Sequence, residues 1–105
     1  MLVSAVLSEI RKRLEETFGS RLKGVLLYGS EAAGRSRPDS DIDILVLLDE
    51  PLRFGEDLET VTRVLYPLQL EIADRPLHAL PVAEPEYRAG ALALYREARR
   101  EGVLL

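Results

Sequence analysis

Gly29-Ser30 and, after ten intervening residues, Asp41-Ile42-Asp43 are the parts of this chain whose residue types and spacing could do chemistry. Val25-Leu26-Leu27-Tyr28 reads as a buried strand, and Gly29-Ser30 should end it and open a helix. The first turn of a helix presents backbone N–H groups without intrahelical partners and a partial positive charge, a setting that suits a phosphate. Asp41 and Asp43 stand two apart at the head of an apolar run, and a strand puts positions i and i+2 on one face. The two carboxylates then lie side by side while Ile42 and Ile44 point the other way. Like charges that close repel, and a divalent cation neutralises them. A phosphate cradle beside a metal-binding carboxylate pair suits a nucleoside triphosphate carrying magnesium.

The elements that must position these residues follow from hydrophobic spacing. Leu2, Val3, Val6, Leu7, Ile10 and Leu14 recur at helical intervals over residues 2–17, with Gly19 as the stop. Residues 23–29 form a first strand, 30–35 a short helix, and Arg35 to Ser40 a polar turn. Residues 41–48 form a second strand, and Ile44-Leu45-Val46-Leu47-Leu48 is apolar on both faces, which makes it central in its sheet. Pro51 to Gly55 is a loop. A helix over 56–70 turns Leu58, Val61, Val64, Leu65 and Leu68 inward, and Pro67 should end or kink it. Leu77 to Val82 is a third strand, interrupted at Pro81, and 84–100 a last helix with a weak point at Gly90. The order is α-β-α-β-α-β-α, an α/β domain with three strands.

Composition bounds the rest. The chain has 105 residues, enough for one domain over 1–105, and 47% of them are hydrophobic, so a real core is expected. A formal net charge of −4 argues against general nucleic-acid binding. There are no cysteines, hence no disulfides or thiolate ligands. The N-terminus lacks the basic flank of a signal peptide, and no apolar stretch approaches the roughly 20 residues of a membrane span. A soluble, cytoplasmic protein without membrane association is expected. Lys12 and Lys23 are the only lysines among many arginines, which says nothing by itself about stability.

The run Leu27-Tyr28-Gly29-Ser30, continuing through Asp41-Ile42-Asp43-Ile44-Leu45-Val46, resembles the signature of the minimal nucleotidyltransferases, the stand-alone form of the DNA polymerase β-like nucleotidyltransferase domain. The resemblance implies a small mixed sheet flanked by helices. It implies transfer of a nucleoside monophosphate from a triphosphate, with ATP expected, to a hydroxyl of a protein or small molecule, assisted by two Mg2+ ions. Gly29 and Ser30 would hold the β- and γ-phosphates, and Asp41 and Asp43 the metals. The chemistry agrees: two metals clamp the attacking and leaving oxygens, and carboxylates are hard ligands suited to magnesium.

The chain departs from the family pattern at two places. Glu31 and Ala33 stand where members often carry arginines, and Glu31 brings negative charge toward the triphosphate. Arg35 and Arg37 are the candidate substitutes, against the plainer reading of solvated turn arginines. Active members also carry a third acidic residue on the later strand. Here Pro76-Leu77-His78-Ala79-Leu80-Pro81-Val82 holds no carboxylate, and His78 is the candidate to take a proton. Glu71, Asp74 and Glu84 lie nearby in sequence, at positions that read as a helix end, a loop and a helix cap. The resemblance also implies a small helical partner protein, since such enzymes are often paired with one, in several cases as antitoxin to toxin. The last helix and tail, with Leu92, Leu94, Tyr95, Arg96, Arg99 and Arg100, read either as a core-packing helix with a basic solvated face or as a partner surface. A homo-oligomer is a further option for so lean a core. Two alternatives stand beside the active enzyme: a catalytically impaired nucleotide- or partner-binding module of the same fold, and an unrelated metal-dependent nucleotide-sugar enzyme using Asp-x-Asp.

Overall fold

Val6, Ile10 and Leu14 share one stripe of helix α1 (Val3–Phe18), and all three are fully buried. The fold is that of a computed structural model describing residues 3–35, 37, 39–72 and 75–105. Leu2, from the expected stripe, lies outside the described residues. A single 3-10 turn over Gly19–Arg21 leads into β1 (Leu22–Tyr28), followed by the short α2 (Gly29–Ala32) and β2 (Ile42–Leu48). Then come α3 (Phe54–Glu71), β3 (Leu77–Ala83), α4 (Glu84–Ala89), α5 (Ala93–Glu101) and β4 (Val103–Leu104).

Among the described residues the sheet has four strands in the order β3-β2-β1-β4. β1 runs antiparallel to β2 and to β4, and β2 runs parallel to β3. The mixed α/β sheet expected from the sequence is present, with β4 as an addition. β2 is internal, as its two apolar faces require. On one face Val25, Leu27, Ile42, Ile44, Val46 and Leu48 pack against α1 and α3. On the other, Leu26, Leu45, Leu47 and Val82 pack with Tyr95 and Ala98 of α5. The sheet is thus sandwiched between two helical layers, and no helix among the described residues is long and apolar enough to cross a membrane.

Four local outcomes differ from the sequence reading. α3 continues through Pro67 to Glu71. The bond that proline forfeits would end on the carbonyl of Arg63, an exposed residue, where water can take its place. The expected helix over 84–100 is two helices, because Gly90 adopts a left-handed φ of 68° and ends α4. Leu58, expected in the core, is only half-buried. The third strand, expected to be interrupted at Pro81, instead runs through it to Ala83, because an edge strand tolerates a residue without an N–H.

Asp57 anchors the start of α3 and is the only buried charged side chain among the described residues. Arg21 grips its two carboxylate oxygens at 3.1 and 3.0 Å, and the Arg53 N–H donates to Oδ2 at 3.0 Å. The Arg21 hydrogen bonds hold this carboxyl below the ordinary carboxylate value. A depressed folded-state pKa means that the stabilisation is complete above the unfolded value of about 3.9 and is lost as pH falls through the lower folded value. Thermal melts between about pH 7 and about pH 2 should therefore show an acid-side loss that Asp57→Asn lacks. At neutral pH Asp57→Asn should cost about 1–2 kcal/mol, the half-exposed Arg21 limiting the effect. Parallel acid limbs in the two proteins would show that the pair contributes nothing.

Candidate active site

Pairing register builds the site. Tyr28 stands opposite Asp43 across β1 and β2, and Asp43 stands opposite His78 across β2 and β3. These three residues form one transverse row on the sheet face that α4 and α5 cover farther along. Asp41 lies one same-face step ahead of Asp43, just outside the strand, and His78 Nε2 approaches its Oδ2 at 3.1 Å. Ile42 and Ile44 point to the opposite face and are fully buried there. Against an ionised carboxylate, which only accepts, Nε2 must be the donor of this contact, and a ring carrying that one proton would keep Nδ1 as its basic nitrogen.

Gly29 turns out of β1 with φ 77°, a conformation that L side chains rarely adopt. A Cβ there would lie 2.6 Å from Asp43 Oδ2, so glycine alone lets the turn come this close to the carboxylate. Gly29 and Ser30 open α2, and their carbonyls accept from Ala33 and Arg35 at 3.1 and 2.9 Å. The turn and the carboxylate pair, separated in sequence, are therefore neighbours in space.

Burial pushes the Asp43 carboxyl above its ordinary value; nearby His78 opposes this and Asp41 adds to it. Burial, and then Asp43, push the Tyr28 phenol up as well. A cation against the carboxylates would reverse their mutual repulsion. No group of three or more metal-ligating side chains gathers among the described residues. The carboxylate pair nonetheless fits magnesium, which typically takes one or two protein carboxylates and completes its shell with substrate phosphates and water. Beside the row, a hollow of about 380 Å³ is lined by Tyr28, Leu58, Thr62, Leu77, His78 and Leu80, within the range of small-ligand sites.

The other sequence candidates fall differently. Arg35 is exposed and its guanidinium lies 3.9 Å from Glu101. Arg37 is exposed, with its backbone N–H donating to Ser40 Oγ at 2.7 Å. Glu71 is exposed at the end of α3, Glu84 opens α4 within 3.5 Å of Arg88, and Asp74 lies outside the described residues. Tyr95 is buried and packs edge-on to Tyr87, while Arg96 and Arg99 donate to the carbonyls of Gly90 and Arg88 at the end of α4. Leu92 and Leu94 are exposed. Glu31 is paired with Arg75.

Two neighbours of the site carry no motif. Tyr28 joins the row because it is in phase with Leu26 on β1, a signal available in the alternation of the strand. Arg75 comes from the loop ahead of β3, and nothing in its local sequence marks it.

The family model for the nucleotidyltransferase domain matches residues 7–97, a span that includes the Gly29 turn, the carboxylate pair and His78. The chain belongs to the nucleotidyltransferase domain family. The same nucleotidyltransferase fold recurs in solved structures. A candidate nucleotidyltransferase from Sulfolobus solfataricus superposes with a TM-score of 0.68 at 22% identity, covering 95% of this chain and 76% of that one. A toxin–antitoxin structure with AMP-PNP superposes with a TM-score of 0.62 at 21% identity, covering 91% of this chain and 69% of that one. At these identities the likeness is one of fold. Among curated protein sequences, none matches this nucleotidyltransferase domain.

Proposed function

We propose that this protein transfers the nucleoside monophosphate of a magnesium-bound triphosphate, with ATP as the expected donor, to a hydroxyl of a protein or small molecule. The observation that carries the reading is the close approach of the Gly29 turn to Asp43, which leaves no room for a Cβ. It lets one triphosphate reach a phosphate-binding turn and a metal-binding carboxylate pair together.

Asp41 and Asp43 would hold magnesium, whose charge draws in the triphosphate and stabilises the transition state at the α-phosphate. Two ions sharing this pair would depend on substrate oxygens for their remaining ligands. Gly29 lets the backbone approach the β- and γ-phosphates, and Ser30 can donate from both amide and hydroxyl. The acceptor oxygen forms its bond to the α-phosphorus as the bond to the β-phosphate oxygen breaks, and diphosphate leaves. His78 takes the acceptor's proton. Asp41, bonded to Nε2, keeps Nδ1 in the basic form.

A small helical partner protein would present the acceptor. Likeness to a toxin–antitoxin structure with AMP-PNP supports both the partner and the adenine nucleotide, and the expected cytoplasmic setting would supply such a substrate. A second reading, a binding module without turnover, is favoured by the histidine that faces the pair from β3 in place of a carboxylate.

Transfer of an α-phosphate label, measured with the partner, and calorimetry with and without magnesium test the proposal. Triphosphate affinity should depend on magnesium. His78→Ala should slow transfer by about 100-fold, the low end of general-base effects because positioning and metal charge supply most of phosphoryl-transfer catalysis, with affinity unchanged. Undiminished transfer would remove His78 from the mechanism. Magnesium-dependent binding without transfer to any partner would support the binding module, and equal affinity with and without magnesium would overturn the reading.

A further inference from the structure

We propose that Arg75 is a positioning residue of this site, holding the Gly29-Ser30 turn at a set distance from the Asp41-Asp43 pair; the proposal rests on the reading above. Its guanidinium joins two segments that each carry part of the site. Nε donates to the carbonyl of Ser40, the residue before Asp41, at 2.8 Å. Nη1 and Nη2 donate to the two carboxylate oxygens of Glu31, the residue after Ser30, at 3.3 Å each.

The backbone of Arg75 is pinned as well. Its N–H donates to the Ile72 carbonyl at 2.8 Å, and its carbonyl accepts from Gln69 Nε2 at 2.9 Å. The same Gln69 amide accepts the Leu77 N–H at 2.6 Å, fixing the start of β3, the strand that carries His78. The next residue, Pro76, accepts the Ile42 N–H at 2.8 Å and so fixes the start of β2. Arg75 thus stands where the phosphate turn, the carboxylate strand and the histidine strand are referred to one another.

Stability alone is a weak explanation for the pair. The Arg75 and Glu31 side chains are 11% and 14% exposed. Desolvation at such depth offsets much of the attraction, so replacing a buried ion pair by apolar residues is often neutral or better. What a two-oxygen, two-nitrogen fork provides is geometry, and lysine cannot reproduce it. The pair also neutralises Glu31, whose charge would otherwise oppose a triphosphate at the adjacent Ser30. The carboxylate is thereby turned into the anchor of the phosphate turn.

The test separates distance from stability. AMP offers a phosphate to the metal-bearing pair but does not span to the turn, whereas ATP spans both. The ratio of ATP to AMP affinity, measured by calorimetry in magnesium, therefore reports the alignment of the two halves. Arg75→Gln should lower that ratio by about 10- to 100-fold, the scale of a small misplacement of binding groups. Arg75→Lys keeps the charge, loses the fork and should lower it similarly; with Glu31→Gln it also serves if Arg75→Gln fails to fold. The double variant Arg75→Gln/Glu31→Gln should be no worse than Arg75→Gln, because both changes break one interaction. A wild-type preference for ATP that survives in every variant, with only the melting temperature lowered, would overturn the positioning role and leave the proposed function standing. A wild-type protein with no preference for ATP over AMP would overturn the proposed function and this role with it.

Discussion

Asp43→Asn is expected to lower nucleotidyl transfer by about 1,000-fold, the upper range for removing one preorganised electrostatic contact from a polar transition state. Asp41→Asn should follow closely, since the two carboxylates share a face and a cation. The same substitutions should not unfold the protein. Burial and Asp41 disfavour the ionised form of Asp43, so a neutral amide removes a repulsion from the metal-free protein. Among the described residues, what Asp41 gives up is its contact with His78, and both side chains are more than half exposed, which makes that contact weak. In divalent-free buffer the melting temperature of the double variant should equal or exceed that of wild type, while labelled transfer in magnesium collapses. A large fall in melting temperature would instead show the pair to be structural.

Gly29→Ala should disturb stability and transfer together. A positive φ of 77° costs an L-residue about 1–2 kcal/mol. The new Cβ would also lie 2.6 Å from Asp43 Oδ2, so either the turn or the carboxylate must move. We expect a destabilisation of about 2–3 kcal/mol and a loss of transfer comparable to that of Asp43→Asn, since both halves of the site are displaced. Adding Asp43→Ala to Gly29→Ala separates the two causes. It removes Oδ2 and Cγ and leaves the Asp43 Cβ position at 3.6 Å, an ordinary contact. Stability should then recover to the conformational cost of the turn alone, with transfer still absent. An unchanged melting temperature in Gly29→Ala would mean that the turn is not held against β2.

Residues whose role is set by chain-local geometry were legible in advance. The shared face of Asp41 and Asp43 follows from the period of a strand, and the burial of Ile42 and Ile44 follows with it. The central position of β2 follows from its apolar run, and the break at Gly29 from the residue that can make it. Val6, Ile10 and Leu14 announce the buried stripe of α1 because helical spacing recurs within a few residues of itself.

Other features have no local signal because they exist only once distant segments meet. Val103 and Leu104 are too few to show a period, and they are a strand because β1 offers them an edge. Tyr95 is buried because α5 folds back over Leu45 and Leu47, although the leucine before it is exposed and an arginine follows it. Glu31 reads alone as a charge misplaced beside a phosphate turn; its partner Arg75 is 44 residues away. His78 shows the division most plainly. The sequence by itself determined that β3 carries a histidine and no carboxylate. Only the tertiary structure decided that His78 stands opposite Asp43 and within 3.1 Å of Asp41, because pairing register is settled by packing between strands and not by either strand alone.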